Sequence, residues 1–383
     1  MGSDLFEVGI NFIKIAFIFL LMVQMVPFLV WAERRGSAFI QNRFGPNRIG
    51  PLGLMQNLAD LVKFLCKEDF LGHKGRKSFF YSAPVLSLIP AALAFGAIPL
   101  STPIEVEAFK WLGQTWGPYT FYFQSFVISI GVVFVLGVSS LAVYSLLLAG
   151  WSSGSKFSLY GALRASAQAI SYELALSLSI VGVLLLFNTF SFSEIVAAQN
   201  GPLQFYFFGE PVKLAFLPNW GIFYQPLGAL LLFVALFAEA NRLPFDLPEA
   251  EAELVAGYHT EYGGVKIIMF YMGEYGHMLV ASALMVTFYF GGYTLWPFLT
   301  PDTLKSFFHF LSSTGQSILT ALVLHLVFLI KLLFFLWIFI WVRWTLPRFR
   351  YDQLMDLGWK TLLPWALVNT VITGIGVFLM RGV

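Results

Sequence analysis

Continuous apolar runs of about 20 residues recur along the chain with polar links between them, and a run of that length crosses a bilayer core. The runs do not alternate between apolar and polar positions, which favours helices over the strands of a barrel. We therefore predict an all-α polytopic membrane protein with about eight transmembrane helices, amphipathic helices at the interface, and one integral membrane domain over residues 1–383. The predicted spans are about 8–32, 82–100, 121–150, 168–189, 226–241, 265–297, 317–342 and 361–380.

Composition agrees with a membrane protein and excludes several other classes. The chain is 58% hydrophobic and only 11% charged, whereas about a quarter of the residues in soluble domains are charged. A net charge of +2 without a basic tract argues against a nucleic-acid partner. Asp4 and Glu7 precede the first run, so we expect no cleaved signal peptide. The single cysteine, Cys66, and scattered histidines predict neither a disulfide framework nor a metal or haem site.

Lysine and arginine set the predicted orientation. Seventeen of them lie in the links on one side of the membrane and four lie on the other. The positive-inside rule makes the first side cytoplasmic and places both termini on the periplasmic side. The dense polar stretches 33–81, 151–167, 239–264 and 343–360 are all on the cytoplasmic side, where we expect function. The outward links, rich in aromatics, are interpreted as packing connectors.

The link 239–264 carries far more negative than positive charge. Its carboxylates are Glu239, Asp246, Glu249, Glu251, Glu253 and Glu261, against the single Arg242. Glu239 and Arg242 are three residues apart, a spacing at which they can pair on one helical face. A short helix is predicted from Pro248 to Gly257, and its dipole accounts for one or two of the acids. Crowded carboxylates cannot all ionise cheaply, so we interpret the group as one that passes protons or senses charge.

Ionisable residues inside predicted spans are functional candidates because their insertion is costly. Glu173 follows a stripe formed by Arg164, Gln168 and Tyr172, and either belongs to the acidic group or is tied to an arginine at the helix end. Glu274 and Lys331 can form a pair, although spacing alone does not show a contact. His325 is interpreted as a packing residue.

The two remaining cytoplasmic stretches combine basic residues with apolar ones. After Arg34 and Arg35, a glycine- and proline-rich turn leads into 54–65, where leucines recur at helical spacing and predict an amphipathic interfacial helix. This region is either a basic anchor or a docking surface. The stretch 343–360 interleaves arginines with aromatics and is either a snorkelling belt or a fixed loop packed against the others.

These stretches resemble one family. They read "ERR…QNRFGPNRIGPLGL", "GWSSGSKFSLYGALRASAQAISYE", "EANRLPFDLPEAEAELVAGYHTEYGG" and "PRFRYDQLMDLGWK". In this order, and over nearly the whole chain, they are similar to the core membrane H subunit (subunit 1 in mitochondria) of respiratory complex I, NADH:quinone oxidoreductase. The departures are small: Arg35 stands where the family often has lysine, and Ala252 stands in an acidic run that often reads Glu-Ser-Glu.

The resemblance implies a role in coupling quinone reduction to proton translocation. It implies a quinone chamber bordered by Glu33, Arg34, Phe39, Arg43, Arg242, Phe245 and Asp246. It implies an acidic, proton-coupling funnel of Glu173, Glu239, Glu249, Glu251, Glu253, Glu261 and Glu274. We interpret Arg48, Lys156, Arg164, Arg348, Arg350 and Asp352 as residues that dock partner subunits.

The expected partners and cofactors follow from the same resemblance. Quinone is the expected bound substrate, without a covalent or metal cofactor in this chain. NADH, FMN and iron–sulfur clusters are expected in partner subunits of the peripheral arm, with small and antiporter-like subunits beside this chain in a bacterial inner (plasma) membrane. Two alternatives stay open: a membrane anchor of a related hydrogenase or ferredoxin-dependent complex, and a stand-alone ion transporter, against which the lack of a visible internal repeat counts.

Overall fold

The structure is a computed structural model that describes residues 2–68, 70, 75–111, 114–116, 118–207, 210–247 and 256–381. Helices dominate it. They are α1 (Gly2–Ile40), α2 (Gln56–Leu65), α3 (Lys77–Ala97), α4 (Gly131–Ser140), α5 (Ala142–Ser152), α6 (Lys156–Phe187), α7 (Phe192–Ala198), α8 (Gly221–Tyr224), α9 (Pro226–Glu239), α10 (Val265–Tyr289), α11 (Pro301–Phe307), α12 (Ser313–Thr345), α13 (Tyr351–Asp356) and α14 (Leu363–Arg381). Short 3₁₀ turns occupy Pro51–Gly53 and Gly257–Glu261, and a π-helix, Leu357–Leu362, joins α13 to α14.

Seven helical segments of the described chain are long and apolar enough to cross a membrane. They are Gly9–Ile40, Lys77–Ala97, Gly131–Ser152, Lys156–Phe187, Val265–Tyr289, Ser313–Thr345 and Tyr351–Leu379. The prediction of an all-α polytopic membrane protein is therefore confirmed. The remaining predicted span is α9, which has 14 residues. At 1.5 Å per residue it is about 21 Å long, shorter than a hydrocarbon core of about 30 Å.

The links predicted to face outward contain short hairpins that the sequence analysis did not predict. Each pair of strands is antiparallel. The strands are β1 (Ile104–Val106), β2 (Phe109–Trp111), β3 (Gln114–Trp116), β4 (Tyr119–Phe121), β5 (Pro202–Phe207) and β6 (Glu210–Pro218). β1 pairs with β4, β2 with β3, and β5 with β6. Aromatic residues are frequent in these strands, which suits β structure and explains the richness in aromatics noted above.

The helix α2 lies at the edge of the bundle as an amphipathic segment. Each of its residues is at least partly exposed, and Leu58 and Leu65 are more than half exposed. The indole of Trp31 and the guanidinium of Arg35, both on α1, donate to the carbonyl of Leu52 at 3.1 and 2.8 Å. These bonds hold the turn before α2 against α1. The apolar face of α2 is exposed, as in an interfacial helix.

The helices α3 and α10 approach closely through glycine. A Cβ added at Gly276 would lie 2.9 Å from the Cβ of Ala91, and one at Gly273 would lie 2.9 Å from the carbonyl oxygen of Ser87. Small residues at such crossings let two backbones approach in a membrane, where packing rather than the hydrophobic effect drives association. This contact fixes the position of Glu274, which lies between the two glycines on α10.

We expect Gly276→Leu to destabilise the protein strongly, because the added side chain must push α3 and α10 apart. Overpacking of this kind costs about 1–3 kcal/mol and more where backbones touch. Gly376→Leu on α14 is the matched control, since a Cβ there would meet no described atom within 4 Å. Thermal unfolding of the detergent-solubilised protein should show a lower midpoint for G276L only. An equal midpoint for both variants would contradict this packing.

Candidate functional site

A buried cluster of charges, which we call the Glu33 network, joins four parts of the chain. Its members are Glu33, Arg242, Glu274, Tyr275 and Arg343. The Glu33 carboxylate accepts a hydrogen bond from the Tyr275 hydroxyl at 2.7 Å and lies 3.3 Å from Nη1 of Arg242. Arg343 also donates to Glu33. The Nε atom of Arg242 is 3.1 Å from Oε1 of Glu274, and its guanidinium covers the Tyr275 ring. The network thus links α1, the segment after α9, α10 and α12.

The centre of the Glu33 network is shielded from solvent, and the network is balanced in charge. The side chains of Arg242 and Glu33 are 6% and 9% exposed. The two carboxylates of the network face the two guanidinium groups of Arg242 and Arg343. Burial of one unpaired charge is costly, and the pairing offsets that cost only while all partners remain. A charge added next to these pairs would therefore leave the network unbalanced.

The segment 240–247 leaves α9 as an irregular loop that Gln168 on α6 holds in place. The Gln168 side-chain amide donates to the carbonyls of Ala238 and Phe245 at 2.9 and 2.8 Å. α9 ends at Glu239, so Arg242 lies beyond the helix. Glu239 and Arg242 therefore do not pair on one helical face. The ion pairs described for Arg242 are with Glu33 and Glu274 instead.

The same loop is anchored to the stretch after α12. The carboxylate of Asp246 is 3.1 Å from Nη2 of Arg348, and the amide of Phe349 donates to the carbonyl of Pro244 at 3.1 Å. The Tyr172 hydroxyl donates to the carbonyl of Leu354 at 2.8 Å. These contacts favour the fixed loop over the snorkelling belt for 343–360.

A small polar cavity, which we call the inner cavity, lies between Glu239 and Glu274. Its volume is about 40 Å³. Polar lining side chains come from several elements, among them Ser87, Ser139, Ser145, Asn241, Tyr258 and His277. Ser139 hydrogen-bonds the Glu239 carboxylate, and Glu173 lies near enough for its charge to act on Glu239. The inner cavity thus connects Glu239 with the Glu33 network through Glu274.

An apolar groove of about 540 Å³ is lined in part by Pro244 and Phe245 of the 240–247 loop. Its lining also includes Leu231 and Phe237 of α9, Leu346 and Trp365. Phe245 is only 4% exposed and packs against Tyr172 and Phe349. The loop therefore has an apolar side at Phe245 and a charged side at Arg242.

The remaining chamber candidates lie on the surface around the end of α1. Phe39 and Arg43 are exposed, and Nε of Arg43 donates to Gln41 at 2.7 Å. Nη1 of Arg34 is 2.5 Å from the carboxylate of Asp60 on α2. Partial burial acts to raise the pKa of Asp60, but the hydrogen bonds and charges of Arg34 and Lys63 outweigh it and hold this pKa below its usual range.

The remaining proton-coupling and docking candidates lie at several separate places in the structure. Glu173 is half-buried on α6, and Glu261 is half-buried at the end of the 3₁₀ turn. Glu249, Glu251 and Glu253, with the helix predicted from Pro248, lie outside the described residues. Of the docking candidates, Arg48 and Lys156 are exposed, Arg350 pairs with Asp352 at the surface, Arg348 pairs with Asp246, and Arg164 lies 6.0 Å from the centre of the Tyr351 ring.

Lys331 does not lie beside Glu274. Its ammonium donates to the backbone carbonyls of Phe290, Gly292 and Thr294 at 2.7, 3.0 and 2.6 Å. It also lies 4.4 Å from the centre of the Trp220 ring. The cation therefore caps the carboxyl end of α10, where the helix dipole favours positive charge. His325 stacks on Phe123, in agreement with its interpretation as a packing residue.

Sequence reasoning missed three residues of this site. Arg343 was noted only as part of a basic stretch, and Tyr275 and His277 were not singled out. Glu33 and Arg343 are 310 positions apart, so no local spacing could reveal their contact. The position of Tyr275 and His277 on the helix of Glu274 was the one available signal. In the described ranges, no group of three or more His, Cys, Asp or Glu side chains is placed to hold a metal ion.

The fold and the site define a class of membrane protein. Its helices span the membrane, and its interior ionisable groups follow one another from the buried, balanced charge network to the polar cavity. A profile of the NADH dehydrogenase family matches residues 13–374. The H subunit of NADH-quinone oxidoreductase from Bdellovibrio bacteriovorus is 62% identical over 381 residues, which is 99% of each chain.

Two further relatives give the same result. The H subunit numbered 2 of NADH-quinone oxidoreductase from Geobacter sulfurreducens is 41% identical over 98% of each chain. The H subunit from Salinibacter ruber is 43% identical over 94% of each chain. The chain therefore belongs to the NADH dehydrogenase family, among the membrane proteins represented by the H subunit of NADH-quinone oxidoreductase.

Proposed function

We propose that this chain is the membrane subunit that couples quinone reduction to proton translocation in a proton-pumping NADH:quinone oxidoreductase. The observation that carries the proposal is the continuity of ionisable groups inside the membrane-spanning region. Glu33 contacts Arg242, Arg242 contacts Glu274, and Glu274 shares the inner cavity with Glu239. The named relatives, all subunits of a quinone-dependent oxidoreductase, support the same proposal.

Quinone would bind at the cytoplasmic end of this series. A quinone has a small polar head and an apolar tail, and its site needs apolar walls with a few polar groups. The end of α1 offers Arg34 and Arg43 beside the exposed Phe39, and the buried Glu33 network lies directly behind them. With the 240–247 loop, these residues would form this chain's wall of a chamber that a partner subunit completes.

Coupling would arise from charge rather than from covalent chemistry. Reduction of a quinone takes up two electrons and two protons, and NADH, FMN and iron–sulfur clusters in partner subunits would supply the electrons. A unit charge 4 Å from another is worth about 4 kcal/mol at an effective dielectric constant near 20. That energy changes a proton affinity about a thousandfold. A transient negative charge on the quinone would therefore change the protonation of Glu33 and Glu274, and then of Glu239, Glu173 and the acids of 249–261.

The cytoplasmic surface would carry the partner subunits. Arg48, Lys156 and the exposed Arg350–Asp352 pair point outward and are proposed as docking contacts. Arg164 and Arg348 contact residues of this chain, and we assign them to shaping that surface. We further propose that small and antiporter-like subunits lie beside this chain in a bacterial inner membrane, with both termini on the periplasmic side.

A photoreactive quinone analogue tests the proposed chamber. In membranes that contain the assembled oxidoreductase, illumination should label peptides from 33–48 and 240–247, and excess natural quinone should prevent the labelling. Peptides from α11, which lies in a link predicted to face outward, serve as the internal control. Labelling that is confined to other parts of the chain, or that resists competition by quinone, would contradict the proposed chamber.

A further inference from the structure

His277 faces the inner cavity from the same helix as Glu274. It follows Glu274 by three positions on α10, so the two side chains lie on one helical face. Its Nε2 atom is buried and makes no hydrogen bond to any described residue. A buried nitrogen without a partner costs about 1–3 kcal/mol, so its presence at this place calls for an explanation.

The inner cavity beside His277 has polar groups in a partly apolar lining and is large enough for water. A cavity holds a water molecule when about 10–15 Å³ is open to the centre of a water-sized sphere, and the inner cavity offers about 40 Å³. Ser87 of α3, Ser139 of α4 and Ser145 of α5 line it with hydroxyl groups. The titratable groups that face it, besides His277, are Glu274, Glu239 of α9 and Tyr258 of the 3₁₀ turn.

His325, the other histidine on a membrane-spanning helix of the described chain, has a different environment. His325 on α12 stacks on Phe123 with ring centroids 5.7 Å apart, and its Nδ1 lies 3.4 Å from the carbonyl oxygen of Leu100. Those contacts account for His325 as a packing residue. His277 instead lines a cavity that two carboxylates share, and its Nε2 has no hydrogen-bond partner among the described residues.

We propose that His277 carries protons between Glu274 and Glu239 through water in the inner cavity. An imidazole nitrogen accepts and releases a proton, which the serine and asparagine side chains of the inner cavity do not. In the first step a Glu274 carboxylate that has taken up a proton in response to the charge on quinone gives this proton, through water, to Nε2 of His277 and leaves a carboxylate and an imidazolium. In the second step the imidazolium returns a proton to water that protonates the Glu239 carboxylate. The net result is one proton moved, with His277 restored. This inference rests on the proposed function.

The test compares two replacements of His277 in the intact oxidoreductase. Glutamine (His277→Gln) keeps a hydrogen-bonding side chain that does not titrate, whereas glutamate (His277→Glu) restores a titratable group. His325→Gln is the matched control. Protons translocated and NADH oxidised by quinone are measured in inverted membrane vesicles. Each of these two rates is divided by the rate at which NADH reduces a water-soluble acceptor. The latter rate reports the amount of assembled enzyme even where a variant assembles poorly.

We expect H277Q to lower proton-coupled turnover about tenfold or more, H277E to recover a substantial part of it, and H325Q to leave it nearly unchanged. Wild-type coupled turnover in H277Q, or equal impairment in H277Q and H277E, would overturn the inference. Glu239→Gln, measured in parallel, separates a failure of this inference from a failure of the proposed function. If E239Q is impaired and H277Q is not, this inference alone fails. If E239Q is also normal, the proposed function fails with it.

Discussion

Replacement of Glu239 by glutamine is expected to remove most of the coupled NADH:quinone turnover while the enzyme still assembles. The substitution keeps the size of the side chain and its hydrogen bond with Ser139 but removes the titratable group between the inner cavity and Glu173. A positioned proton-transfer group contributes about 10²–10⁴-fold to a rate, so a loss of about 100-fold is expected in the proton-coupled rate. Simultaneous recording of NADH oxidation and vesicle acidification measures it.

Glu194→Gln provides the control for E239Q. Glu194 lies on α7 at the surface and hydrogen-bonds Thr189, away from the inner cavity. The same chemical change at that position should leave both rates near their wild-type values. Coupled turnover in E239Q equal to that in E194Q, at equal amounts of assembled enzyme, would remove Glu239 from the proton path.

Loss of Arg242 is expected to have the largest effect on stability. The Arg242→Gln variant leaves Glu33 and Glu274 buried without the guanidinium group that faces both of them, while Arg343 still pairs with Glu33. Removal of one partner from a buried charge network costs about 3–5 kcal/mol. We therefore expect R242Q to reduce the amount of assembled enzyme sharply and to lower the temperature at which it dissociates, as followed by native electrophoresis after heating.

A second substitution tests whether charge balance is the cause. Arg242→Gln combined with Glu274→Gln leaves one carboxylate, Glu33, and one guanidinium, Arg343. Assembly should recover in this double variant because the charges match again. Proton-coupled turnover should stay low because Glu274 no longer titrates. Equal instability of the single and the double variant would show that Arg242 acts through packing on Tyr275 rather than through charge.

The spanning helices were predictable because each is specified by residues that are neighbours in sequence. Long apolar runs placed seven spans correctly, and the short α9 shows the limit of this signal. A run bounded by Pro226 and Glu239 indicates an apolar helix but not that it ends before Arg242. The hairpins of the outward links were not predictable from hydrophobicity, since each strand pairs with a partner that no periodicity identifies.

The residues of the candidate site were more predictable from the sequence than the contacts between them. The acid-rich link 239–264 pointed to Glu239, and the cost of charge inside a membrane pointed to Glu274. The partners of Glu33 lie 209, 242 and 310 positions away, and only the packing of α1 against the 240–247 loop, α10 and α12 brings them together. For the same reason Lys331 was considered a partner of Glu274, although the end of α10 supplies three carbonyls much nearer to it.

Infrared difference spectroscopy of the intact oxidoreductase tests most directly whether quinone reduction changes the charge of these buried groups. The spectrum of the quinol-bound state minus that of the quinone-bound state is recorded for the wild type, E239Q, E274Q and E194Q. We predict a carboxyl C=O stretching band that is present in the wild type and E194Q and weakened or lost in E239Q and E274Q. An identical band in all four enzymes would contradict the account.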